Sequence, residues 1–225
     1  MGIMPASETP FLPGAVIFDM DGLMLDTEQP VMDLWPRAAR NLGWEMHREI
    51  VLRTIGIDEN TTKSILRETY GENFPYFAIK KELFRLIHEI VDKEGIAHRP
   101  GLLTMLDKLD TLGVPFGVAT STDRKTALWK LEKANIRDRF NIIICGDEVQ
   151  HGKPAPDIFL LAAKQLDQAP TSCIGFEDSI AGLRALAAAG IRSVFIKDLL
   201  DPPAEVLATV WRQCGDLAEA AELFG

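Results

Sequence analysis

Two carboxylates, Asp19 and Asp21, stand one residue apart where the apolar run Val16-Ile-Phe18 gives way to Gly22. Val16, Ile17 and Phe18 suit a buried strand and Gly22 suits a turn, so the pair is expected in the crevice at the strand's carboxyl end. Alternate strand residues share a face, and both side chains should then address one small volume. Two like charges held that close cost free energy unless a cation or a proton compensates, a setting suited to catalysis. A plain Asp-rich turn would use the same residue types. Other segments must therefore decide between the two.

Three such segments exist. Thr120-Ser-Thr122 follows the apolar run Phe116-Gly-Val-Ala119, where hydroxyls and free amides near a helix start can bind phosphate oxygens. Thr122 or Asp123 could equally cap the helix that follows. Lys153, between Gly152 and Pro154, offers a cation for a phosphoryl group and a charged nucleophile alike. Glu177 and Asp178 end another apolar run and bring further negative charge towards Asp19 and Asp21. Several carboxylates in one crevice call for a hard cation, and Mg²⁺ with oxygen ligands is the economical choice, although acids at a helix start also suit the helix dipole.

Other chemistries fit less well. The run Gly146 to Lys153 resembles a phosphate-binding P-loop only superficially: five residues separate its glycines, and Pro154 stands where Ser or Thr would hold magnesium. His47, His88, His98 and His151 show no i, i+4 pairing and no thiol partners. Ser121 lacks a His/Asp pair, and no Gly-x-Ser-x-Gly turn occurs.

From Pro100 onward, strands and helices alternate. A helix is expected around Gly101 to Leu112, a strand over Phe116 to Thr120 and a helix over Asp123 to Ala134. The strands Ile142 to Cys145 and Ser172 to Phe176 precede helices starting near Pro156 and Ser179. A last strand is expected at Ser193 to Ile196, then a tail helix from Pro203 towards the end. This alternation predicts an α/β fold, a doubly wound parallel sheet with every strand's carboxyl end on one edge. Between the first strand and Pro100, about seventy residues carry helical periodicity without a strand. Asp33 to Leu42, Asn60 to Tyr70 and Tyr76 to Lys93 are the expected helices. The length favours an inserted all-helical cap on two hinges over helices packed permanently on the sheet. The expected division is a core of 14–26 and 99–225 with a cap of 27–98.

Composition narrows the class further. The 225 residues carry a net charge of −9, with 47% hydrophobic and 25% charged residues, the profile of a globular protein without the basic face that nucleic acid needs. No apolar run reaches the roughly 20 residues that span a bilayer. Among three cysteines, Cys145 and Cys173 fall in apolar strands, which suits reduced thiols. A cytoplasmic protein is expected, monomeric or weakly dimeric.

In order, Asp19-Met-Asp21-Gly22, Thr120, Lys153-Pro154 and Glu177-Asp178 resemble the four motifs of the haloacid dehalogenase superfamily. The strings Asp26-Thr-Glu28, Val149 to Pro154, Pro156 to Phe159 and Phe176 to Asp178 are most similar to its helical-cap branch, which contains β-phosphoglucomutase, 2-deoxyglucose-6-phosphatase and pseudouridine-5'-phosphatase. The resemblance implies a Rossmann-like core and, as partner, a small phosphorylated metabolite. It implies Asp19 as nucleophile, forming an aspartyl-phosphate, and Asp21 as acid and base. Mg²⁺ would be held by Asp19, the Asp21 carbonyl and Asp178, with Glu177 as a further or outer ligand. Thr120, the Ser121 amide and Lys153 would bind the transferring group. Asp21 argues against dehalogenation, which needs no leaving-group acid. A phosphomutase of the β-phosphoglucomutase type is the alternative, but the histidine of its first cap helix falls at Val31 here, and its cap-loop arginine falls in Gly56-Ile-Asp58-Glu59. Lys63 could supply a compensating charge. A receiver-type signalling domain needs neither the long insertion nor Glu177-Asp178.

Overall fold

The structure is a computed structural model that describes residues 12–54, 59–199 and 201–224. Six strands, β1 (Ala15–Phe18), β2 (Phe116–Ala119), β3 (Ile142–Ile144), β4 (Cys173–Glu177), β5 (Arg192–Ile196) and β6 (Arg212–Cys214), form one sheet in the order β3-β2-β1-β4-β5-β6. Every pairing is parallel. The order reverses direction at β1, so the crevice outside the carboxyl ends of β1, β2 and β4 is where an α/β sheet opens to a ligand.

Four helices fill the segment after β1: α1 (Glu28–Asn41), α2 (Arg48–Leu52), α3 (Glu59–Tyr70) and α4 (Tyr76–Glu94). They enclose an apolar cluster of their own, built on Met32, Ala39, Val51, Leu66, Ile79 and Leu86. The chain leaves and re-enters the core side by side. Asp26 N–H donates to the Ala97 carbonyl at 2.9 Å and Arg99 N–H to the Met24 carbonyl at 2.9 Å. Helix α1 starts earlier than Asp33 and takes in Pro30 and Pro36. Pro30 falls in the first turn, where the amide has no helical partner to lose. Helix α2 was not expected. Gly56, Ile57 and Asp58 lie outside the described residues.

The remaining helices are α5 (Leu102–Leu112), α6 (Arg124–Lys133), α7 (Asp157–Gln165), α8 (Ile180–Ala189), α9 (Ala204–Leu207) and α10 (Leu217–Ala221). Alternation along β1 sorts them into two layers. Val16 and Phe18 pack into the cluster that includes α5, α6 and α10. Ala15 and Ile17 pack into the cluster with α7 and α8. The tail differs from the single helix expected after Pro203, because the edge strand β6 interrupts it. Trp211 N–H is anchored to the Ser193 carbonyl at 3.0 Å, and the sheet recruits a polar stretch that has no strand pattern of its own. Cys145 and Cys173 are buried free thiols, as expected.

Candidate active site

The four segments converge on the carboxyl edge of the sheet. Asp19 continues β1, its amide donating to the Phe176 carbonyl at 3.0 Å, and its side chain is buried. Lys153 reaches in from the loop before α7. Its ammonium donates to Asp19 Oδ1 at 2.5 Å, to Glu177 Oε1 at 2.6 Å and to the Ala119 carbonyl at 3.1 Å. One cation thus bridges the ends of β1, β2 and β4. Glu177 is fixed further by the Asp178 and Ser179 amides and the Ser179 hydroxyl, all donating to Oε2. Ser179 also caps α8 by accepting from the Gly182 amide at 3.0 Å.

Asp19, Glu177 and Asp178 each place a carboxylate oxygen within 4.8 Å of the other two. Burial, opposed by Lys153 and reinforced by Glu177, raises the Asp19 carboxyl to about 7. Burial and the charges of Glu177 and Asp19 likewise raise Asp178 well above the ordinary range. Such a set of oxygen donors fits a hard divalent cation, which would relieve the repulsion that otherwise invites protons.

Asp21 lies near enough for its charge to help raise the Asp19 carboxyl, but it is held by a different set of partners. Its carboxylate accepts from Thr27 Oγ1 at 2.7 Å, Thr122 Oγ1 at 2.8 Å and Lys130 Nζ at 2.6 Å. Burial works against its charge, but Lys130 and the two hydroxyls outweigh burial and hold the carboxyl below its usual range. Thr122 is therefore occupied with Asp21, and Asp123 is the residue that caps α6, accepting from the Thr126 amide at 3.1 Å.

Thr120 is buried and its hydroxyl accepts from the Thr122 amide at 3.1 Å, while Ser121 is exposed beside it. Gly146 passes so close to the Ser121 carbonyl that a Cβ there would overlap it. Gly22 has φ +80°, and a Cβ there would strike the Asp178 carboxylate. Only glycine takes this turn at no steric cost. None of the four histidines belongs to the carboxylate clusters. Lys63 is engaged with Glu59 at 2.9 Å.

Three contributors were not anticipated. Lys130 is a solvated-looking position on an amphipathic helix, with no sequence signal to mark it. Asp198 carried a signal, since it closely follows the end of β5 as Asp178 follows β4, whereas Glu28, the first residue of α1, looks like an ordinary acid at a helix start. Glu28, Asp178 and Asp198 place carboxylate oxygens within 4.8 Å of one another.

A doubly wound sheet with acidic groups, a bridging lysine and hydroxyls at its carboxyl edge is the arrangement of a hydrolase of the haloacid dehalogenase type. The family model of the haloacid dehalogenase-like hydrolases matches residues 16–196, and the chain belongs to that family. It is similar to a phosphorylated carbohydrates phosphatase of Thermotoga maritima, 32% identical over 186 residues, covering 80% of this chain and 83% of the relative. It is also 32% identical over 189 residues to a beta-phosphoglucomutase of Bacillus subtilis, covering 80% and 81% of the two chains. The crystal structure of CbbY from Rhodobacter sphaeroides in complex with phosphate superposes with a TM-score of 0.75 at 28% identity, covering 92% of this chain and 96% of that one. No helix among the described residues is long and apolar enough to cross a membrane.

Proposed function

We propose that this hydrolase is a Mg²⁺-dependent phosphomonoesterase of small phosphorylated metabolites, sugar phosphates foremost, working through an aspartyl-phosphate on Asp19. The observation that carries the reading is the ammonium of Lys153 placed between Asp19 and Glu177, beside the carboxylate of Asp178. Asp19, Asp178 and Glu177, with the Asp21 carbonyl, would hold Mg²⁺. When bound, the metal supplies the positive charge that lets an anionic nucleophile face an anionic phosphoryl group. Asp19 attacks phosphorus in line while Asp21 gives a proton to the leaving oxygen. Asp21 then takes a proton from the water that hydrolyses the aspartyl-phosphate. Lys153, Thr120 and the Ser121 amide stabilise charge on the transferring group.

The substrate class is supported by relatives named for phosphorylated carbohydrates and fructose-1-phosphate. Hydrolysis is favoured over a mutase because Val31 packs against the apolar cluster of the helical segment and offers no titratable group. Residues 27–98 act as a cap in this reading, with the paired crossings at 26 and 99 as hinges that admit substrate and then exclude water.

The test is phosphate release from sugar, polyol and nucleoside monophosphates, with Mg²⁺ or chelator, for the wild type and Asp19→Asn. Metal-dependent release that the variant lacks is expected. Conversion of a hexose 1-phosphate to its 6-phosphate without free phosphate would replace hydrolysis by mutase chemistry, and normal turnover by Asp19→Asn would remove the nucleophile.

A further inference from the structure

Glu28, Asp178 and Asp198 come from three separate places: the first residue of α1, the turn after β4 and the turn after β5. Their oxygens lie within 4.8 Å of one another, and Asp19 is not part of this group. We propose that these three carboxylates form a second hard-cation site that shares Asp178 with the Asp19–Glu177–Asp178 cluster. The inference rests on the first site only through that shared residue.

Acids alone would not carry this. The Asp198 side chain is only 2% exposed, and its Oδ1 is paired with Arg99 Nη1 at 3.0 Å. Its Oδ2 is buried and has no hydrogen-bond partner. That oxygen is aimed at the cluster: a Cβ on Gly22 would stand 3.0 Å from Asp198 Oδ2 and against Asp178 Oδ2, so both oxygens border the same small space. Asp178 is itself a buried residue, and no ion pair to it is formed among the described residues.

One protein cation, Arg99, serves this group through Asp198 Oδ1, and the nearby lysines are committed elsewhere. Lys153 serves Asp19 and Glu177, Lys130 serves Asp21, and Arg99 gives Nη1 to Asp198 Oδ1 and Nη2 to the Lys197 carbonyl. No ion pair to Glu28 exists among the described residues. An all-oxygen donor set selects Mg²⁺, Mn²⁺ or Ca²⁺ over softer metals. Because Glu28 belongs to the helical segment and the two aspartates to the sheet edge, a cation here would also tie one to the other.

The experiment counts Mn²⁺ bound to substrate-free protein, from the free-ion electron paramagnetic resonance signal, for the wild type, Asp19→Asn, Glu28→Gln and Asp198→Asn. Circular dichroism checks the fold of each, and Glu28→Gln stands in if loss of the Arg99 partner unfolds Asp198→Asn. Two ions per wild-type chain are expected. Asp19→Asn should keep one of them, and Glu28→Gln and Asp198→Asn should weaken that one at least tenfold. One ion in the wild type that Asp19→Asn removes and Glu28→Gln leaves would overturn the second site and spare the first. One ion that Glu28→Gln removes and Asp19→Asn leaves would uphold the second site and remove the metal from the phosphatase reading. Two ions in both Glu28→Gln and Asp198→Asn would overturn the assignment of its ligands.

Discussion

Replacing Lys153 by methionine removes a charge while keeping most of the side chain's volume. The lysine side chain is 4% exposed and lies within ion-pair distance of two carboxylates, Asp19 and Glu177, so its loss leaves both buried without a counter-charge. Removing one partner of a buried ion pair costs about 3–5 kcal/mol, and we expect about 4 kcal/mol for metal-free Lys153→Met at pH 8. The cost must depend on pH. The Asp19 carboxyl, already at about 7, rises further once the lysine is gone. At pH 6 Asp19 is mostly protonated in both folded proteins, so the lysine contributes little through it. Above pH 7 wild-type Asp19 ionises while the variant's stays protonated, and the difference grows by up to about 1.4 kcal/mol per pH unit. Urea unfolding followed by tryptophan fluorescence, with chelator at pH 6 and pH 8, measures it. A loss of about 2.5 kcal/mol at pH 6 rising to about 4 at pH 8 is expected, the low-pH remainder coming from Glu177. Equal losses at the two pH values, or less than about 1 kcal/mol at pH 8, would refute Lys153 as the counter-charge of Asp19.

Asp21→Asn should lower kcat by about 10²- to 10⁴-fold for alkyl phosphates and much less for p-nitrophenyl phosphate, whose leaving group needs no proton; equal losses would contradict the acid role. Metal-free wild type should lose stability as pH rises from about 4 towards 8, because burial raises the folded-state carboxyls of Asp19, Glu28, Asp178 and Asp198 above their unfolded values. Asp21, held low by Lys130, acts in the opposite direction but below about pH 4. Thermal denaturation with chelator should show the decline and added Mg²⁺ should reverse it; a melting temperature that climbs over that range speaks against the raised carboxyls. Gly22→Ala should cost about 2 kcal/mol or more through its positive φ and overlap with Asp178, and calorimetry should find Mg²⁺ binding at least tenfold weaker.

The parts of the fold legible in the sequence were those whose signal is local. Strands β1 to β5 are short apolar runs bounded by turn residues. Ser179 and Gly190 mark the ends of α8 by capping and by a left-handed turn. Edge strand β6 (Arg212–Cys214) was hidden because one partner and a solvated side leave it polar, so only the tertiary pairing with β5 reveals it. At the site, residue types and order identified Asp19, Lys153, Glu177 and Asp178, all of which the structure brings together. Where the Asp21 carboxylate turns was not legible, since it depends on Lys130, 109 positions away. Asp198 could have been found by applying to β5 the rule used for β1 and β4, that an acid just past a strand's carboxyl end faces the crevice.

The central place of β1 has a consequence for how the molecule is made. Ala15 lies opposite Cys173, and Val16 opposite Phe116, so the strand that carries Asp19 has no nearby partner on either side. A ribosome adding about 5–20 residues per second would finish β4 on the order of ten to thirty seconds after β1. Throughout that interval the apolar strand has at least one bare hydrogen-bonding edge, the feature that invites misassociation in a nascent chain. The first strand to be synthesised is thus among the last to be fully seated, and a chain halted before Cys173 carries Asp19 on a strand with nothing to pair its second side.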